Sequence, residues 1–135
     1  MRVAVYFNIR RRVFSVKALD GPSRGRVIGH HTYVPLLDVC FRVSQAGRAR
    51  VLETGQKNVH AFVVGTMSDP QSDEWRLRRF RYEMQVVGPK RYAVYYNPKR
   101  DAEFMTKDGP IRAANVVELS VDQGVPSIQA IVEEN

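Results

Sequence analysis

Apolar and polar residues alternate with a period of two along most of this chain, and that pattern constrains the fold more than any other feature. A period of two places successive side chains on opposite faces of an extended strand. Val3, Val5 and Phe7 alternate with Ala4, Tyr6 and Asn8, and Val13 to Leu19 repeats the pattern after the cluster Arg10-Arg11-Arg12. Asp20-Gly21-Pro22-Ser23 is turn chemistry. Arg26 to Gly29 reads as a short strand and Val34 to Val43 as a long one. Asn58 to Gly65 is a short, nearly continuous apolar run suited to a central strand, and Thr66 to Asp73 follows as a loop. Phe80 to Val86, Arg91 to Tyr96, Ile111 to Val121 and Ser127 to Val132 complete the set. Between Trp75-Leu77 and Phe80 the phase slips at Arg78-Arg79, which marks either a β-bulge or the end of a short helical turn capped by Ser72.

One segment reads as helix. Ser44 is a fitting N-cap, Gln45 to Glu53 contains good helix formers, and Gly55 supplies a stop. Gly47 opposes it by up to ~1 kcal/mol relative to Ala. The expectation is an α+β domain of mainly antiparallel β structure, with about eight strands and one or two short helices. At 135 residues the chain is of single-domain size, and one ligand-binding domain over residues 1–135 is expected. No apolar run approaches the ~20 residues of a membrane span. The start runs directly into a strand pattern, unlike a signal peptide. The single Cys40 sits between Val39 and Phe41 and reads as a buried free thiol in a reducing cytosol.

Charge speaks to partners more than to fold. The net charge is +7, and residues 1–50 carry ten Lys/Arg against two Asp/Glu, whereas residues 101–135 carry two against seven. A basic body favours phosphate-rich ligands. The charge asymmetry and the many strand edges in a small domain both favour a homo-oligomer.

The residues for catalysis do not assemble in the sequence. His30 and His31 are adjacent and face opposite ways in a strand, and Cys40 has no second cysteine to pair with. No nucleophile elbow, carboxylate pair or phosphate-binding glycine motif is present. His60 between Val59 and Ala61 reads as a structural histidine. The expectation is a protein that is not an enzyme and needs neither metal nor cofactor. What stands out is arginine beside aromatics: Arg76, Arg78, Arg79 and Arg81 run through Trp75, Phe80 and Tyr82, and Arg91 precedes Tyr92, Tyr95 and Tyr96. Guanidinium forks match phosphate oxygens, and aromatic faces stack bases at roughly 1–3 kcal/mol each. For Phe80, Tyr82 and Tyr92 the simpler assignment is to the core. Asn97 and Arg112 lie at strand ends beside Pro-containing turns, positions that often rim a site.

The chain resembles a family of small phage proteins, the anti-Thoeris sponges of the first type. The resemblance runs through Val5-Tyr6-Phe7-Asn8, Phe14-Ser15-Val16, Gly25-Arg26-Val27 and Arg42 to Leu52. It continues through Lys57 to Gly65, Tyr95-Tyr96-Asn97-Pro98 and Phe104, and ends near residue 117. It implies a β-rich oligomer in the cytoplasm of an infected bacterium. Such a protein sequesters a cyclic ADP-ribose-type immune signal without cleaving it, and some members also hold cyclic oligonucleotides at a separate interface. On that resemblance Arg26 and Arg112 are phosphate clamps, and Asn97 fixes a ribose hydroxyl or base edge. Tyr96 or Phe104 stacks on the base, and Arg48 and Lys57 serve a second site. The alternatives are a basic nucleic-acid-binding module and a phage inhibitor that docks on an acidic host protein.

Overall fold

A computed structural model describes residues 1–67 and 89–133. Its strands are β1 (Arg2–Asn8), β2 (Val13–Ala18), β3 (Val27–His31), β4 (Tyr33–Val43), β5 (Ala61–Met67), β6 (Pro89–Val94), β7 (Met105–Thr106), β8 (Gly109–Pro110), β9 (Ala113–Asp122) and β10 (Val125–Glu133). Among the described residues one helix, α1 (Gln45–Thr54), links β4 to β5. Eight strands form one sheet in the order β3-β2-β1-β5-β4-β9-β10-β6, and β7 and β8 make a separate small hairpin. Every pairing is antiparallel. The expected fold class therefore stands.

Alternation decides what each face carries. Leu36 of β4, Val117 and Leu119 of β9 and Ala130 of β10 join the main core with Val3, Val5, Phe14 and Val16. Their sequence neighbours Leu37, Val116 and Ile131 form a second cluster. Residues from β2 and β6, far apart in the strand order, share the main core, so the sheet curls around it and β2 comes against β9. Full burial of a side chain such as Leu36 or Leu119 contributes roughly 1.5–3 kcal/mol each.

A bulge and a tight turn shape the two ends of this sheet. The β4–β5 register shifts between Leu37 and Cys40, and Asp38 there takes φ 52°. This bulge turns the Asp38 carbonyl towards Arg2, whose Nη1 donates to it at 2.6 Å and to Thr66 Oγ1 at 3.3 Å. At the other end, Gln123 and Gly124 link β9 to β10 with φ of 50° and 77°. Positive φ at both central residues is the type I′ hairpin, whose twist matches the flanking strands and which Gly accepts without a Cβ penalty.

The helix has the expected ends: Ser44 Oγ accepts from the Gly47 N–H at 3.2 Å, and Gly55 is left-handed with its N–H bonded to the Val51 carbonyl. Gly47 is there for space. A Cβ at Gly47 would stand 2.7 Å from the Cβ of His60, so its lack of a side chain lets the helix lie close on the chain entering β5.

Several boundaries move. The strand expected over Asn58 to Gly65 is shifted to Ala61–Met67, because His60 turns its ring inward and Thr66 and Met67 continue the ladder with β1 and β4. β10 begins at Val125 because the tight turn leaves no loop. Gly109-Pro110, expected as turn, is paired with Met105-Thr106, and the turn falls on Lys107-Asp108. Cys40 is half-buried, not buried, since Val39 and Phe41 take the inward positions on either side. The Phe80–Val86 strand, the phase slip and the Arg76–Arg81 stripe with Trp75, Phe80 and Tyr82 lie outside the described residues.

Candidate ligand-binding site

The antiparallel β4–β9 register brings Cys40 opposite Ala113, and the Phe41 N–H donates to the Arg112 carbonyl at 2.9 Å. This pairing sets the end of β4 beside the start of β9. The segment 102–104 and the first residue of α1 close the other sides, leaving an open cleft of about 430 Å³. Its walls carry Arg42, Gln45, Glu103 and Arg112, and its apolar surface comes from Phe41, Phe104 and Ile111. That volume falls within the ~300–1,000 Å³ typical of small-ligand sites.

A row of rings runs from the cleft into the molecule. Phe41 and Phe104 are 5.3 Å apart between centroids, Phe104 and Tyr96 5.3 Å, and Tyr96 and His60 5.5 Å. The Asn58 carbonyl can only accept, so His60 Nδ1–H donates to it at 2.7 Å. That tautomer leaves Nε2 to accept from the Tyr96 hydroxyl at 2.8 Å. His60 is thus a structural link between the β5 entry and Tyr96.

Arg48 ties the helix to the next loop, its Nε donating to the carbonyls of Pro98 at 3.1 Å and Asp101 at 2.9 Å. Gln45 Nε2 adds a bond to the Ala102 carbonyl at 2.8 Å. The loop also caps itself, with Lys99 N–H donating to Asn97 Oδ1 at 3.0 Å and Asn97 N–H to Asp101 Oδ2 at 3.1 Å. The cleft wall is therefore held by side chains from two elements.

Burial pushes the Tyr96 phenol above its ordinary 10.0, against the Arg48 guanidinium, which pulls it down, and together with Asp101, which raises it. A phenol whose pKa is raised by folding contributes stability below pH 10, and that contribution is lost as pH rises through the higher folded value. In an ultraviolet titration compared with Tyr96→Phe, the missing phenolate signal is expected above pH 10. A signal missing below pH 10 would mean that Arg48 outweighs burial.

The residues singled out in the sequence divide between this place and others. Phe104 and Arg112 line the cleft, Tyr96 packs behind Phe104, Asn97 begins the loop that leads into the cleft wall, and Arg48, assigned to a second site, is bonded to that same loop. Phe104 is only 5% exposed, with its ring between Phe41 and Tyr96, so it forms floor and leaves no open face for a base. Asn97 spends its side-chain carbonyl on the turn. Arg112 Nε bonds Glu103 Oε1 at 2.7 Å, a contact with the arginine side chain 80% exposed. Such exposed pairs contribute ~0–1 kcal/mol, so the arginine can be drawn to another anion. Arg26 sits in the β2–β3 turn, and no described hydrogen bond or ion pair joins it to this cluster. Lys57 is exposed in the link from α1 to β5. Sequence reasoning missed Arg42, Gln45 and Glu103 as cleft residues. Arg42 alternates outward between Phe41 and Val43, but only the pairing of β4 with β9 brings it to the same cleft as Arg112.

A family model described as the Mycobacterium phage L5 gene 82 protein matches residues 1–126, and the chain belongs to that phage protein family. The "Gene 82 protein" of Mycobacterium phage L5 is 32% identical over 133 residues, covering 93% of this chain and 94% of that protein. No solved structure matches the chain. Among the described residues no helix is long and apolar enough to cross a membrane.

Proposed function

We propose that this phage-family protein binds a small phosphorylated nucleotide in the cleft and sequesters it without cleavage, acting against host defence as a sponge for a cyclic ADP-ribose-type signal. One observation carries this reading. The cleft is lined by two arginines, Arg42 and Arg112, beside an apolar floor of Phe41, Phe104 and Ile111. Phosphate oxygens suit the arginines, and the apolar floor suits the edge of a ribose or base, not a stacked ring. No histidine is among the residues that line the cleft, and His60 is committed to Asn58 and Tyr96. Assembly into a homo-oligomer belongs to the same reading.

A thermal-shift panel of cyclic ADP-ribose isomers and cyclic dinucleotides tests it. A ligand at 100 times its dissociation constant should add ~2.7 kcal/mol of stability. Heat denaturation should return that ligand intact, and Arg42→Glu or Arg112→Glu should weaken binding tenfold or more, since hydrogen bonds to charged groups are worth ~1.5–3 kcal/mol. A cleaved product, or a panel with no shift at all, would count against the reading.

A further inference from the structure

A second surface, independent of the cleft, lies on β1–β3. Residues 1–31 contain Arg2, Arg10, Arg11, Arg12, Lys17, Arg24 and Arg26 against the single carboxylate of Asp20. Residues 113–133 contain Glu118, Asp122 and Glu133 and no Lys or Arg. The β3 side of the sheet, β3-β2-β1, is therefore strongly basic, whereas the charged residues of β9 and β10 are carboxylates.

The cations form two groups. Arg10 and Arg11 occupy the β1–β2 turn, where their N–H groups both donate to Asn8 Oδ1 at 3.1 Å, and their side chains are exposed. Arg12 is held over the Phe7 ring at 5.3 Å. Arg24 and Arg26 occupy the β2–β3 turn and are exposed as well. The two turns lie at opposite ends of β2, which has six residues, so about 20 Å separates them at ~3.4 Å per residue. That span exceeds the ~12 Å width of the DNA major groove, so each group can rest on one of the two backbones flanking it.

We propose that this face binds the phosphate backbones of double-stranded DNA, without base-specific readout. One observation selects a duplex over a single strand: the cations stand in turns at a fixed spacing, which suits backbones that are themselves fixed. Pairing two β3 edges from two copies would instead set like charges together.

Fluorescence anisotropy of the full chain with a labelled duplex of about 24 base pairs tests the proposal. Four phosphate contacts give a slope of log affinity against log salt of about −3.6, a loss of roughly 150-fold between 50 and 200 mM salt. Arg10→Gln with Arg11→Gln should halve the slope to about −1.8, a loss of only about 12-fold over the same range, and Arg24→Gln with Arg26→Gln should do the same. All four arginines are exposed, and melting temperatures near that of the unaltered chain confirm folding of both variants. No duplex binding at 50 mM salt would overturn the proposal. A slope unmoved by either double variant would place binding elsewhere and overturn it equally, and tighter binding of a single strand of the same length would refute the choice of duplex.

Discussion

Phe104→Ala is expected to lower stability by about 3–5 kcal/mol, read from the midpoint of urea unfolding. This is a large share of the ~5–15 kcal/mol that holds a typical domain together. Phe104 lies outside the long strands, yet its ring is 5% exposed and belongs to the main core cluster. Its contacts with Phe41 and Tyr96 anchor the loop that walls the cleft, so truncation opens a cavity where the loop meets the sheet. Phe104→Leu keeps much of the volume and should cost less than half as much. A loss below ~1 kcal/mol for Phe104→Ala would show that this loop is not anchored by the ring.

Gly47→Val is expected to cost about 3 kcal/mol, at the upper end of the usual penalty for overfilling a packed site. The smaller change Gly47→Ala is the sharper test because two effects oppose each other. Helix propensity alone would stabilise the protein by up to ~1 kcal/mol. The added Cβ would stand 2.7 Å from the Cβ of His60, so backbone has to shift, and the net effect should be destabilising. The shift also pulls His60 from the Tyr96 hydroxyl, and the phenol titration described above should move with it. Increased stability in Gly47→Ala would refute the close approach of helix and strand.

The fold was legible wherever one face of a strand is buried and the other is not. Val3 and Val5, or Val117 and Leu119, announce their strands because alternation is the direct consequence of a one-sided core. The helix was legible from Ser44 and Gly55 because caps are local chemistry. Gly47 misled slightly, since propensity knows nothing of His60. The β5 start was misplaced because His60 looks apolar from its neighbours, and only its bond to Tyr96, 36 residues on, explains its direction. The cleft was half legible. Asn97, Tyr96, Phe104 and Arg112 could be suspected from turns and aromatics, but Arg42 and Glu103 become cleft residues through pairings between distant segments. Arg48 shows the same gap: nothing local distinguishes it from Arg50, and only the loop 97–101 gives it a role.

The strand order also sets how the chain reaches this state. The hairpins β1–β2, β2–β3 and β9–β10 join neighbours in sequence and can form locally. The centre of the sheet cannot: β4 lies beside β9 with Tyr33 opposite Ser120, and β1 beside β5 with Arg2 opposite Thr66. Closing loops of that length costs entropy before any core contact returns it, which places folding in the slow class of mostly non-local β proteins, on a scale of roughly milliseconds to seconds. The β4–β9 seam is also one wall of the cleft, so the site is completed by the step that closes the longest loop, and a half-folded chain has its hairpins but no binding site.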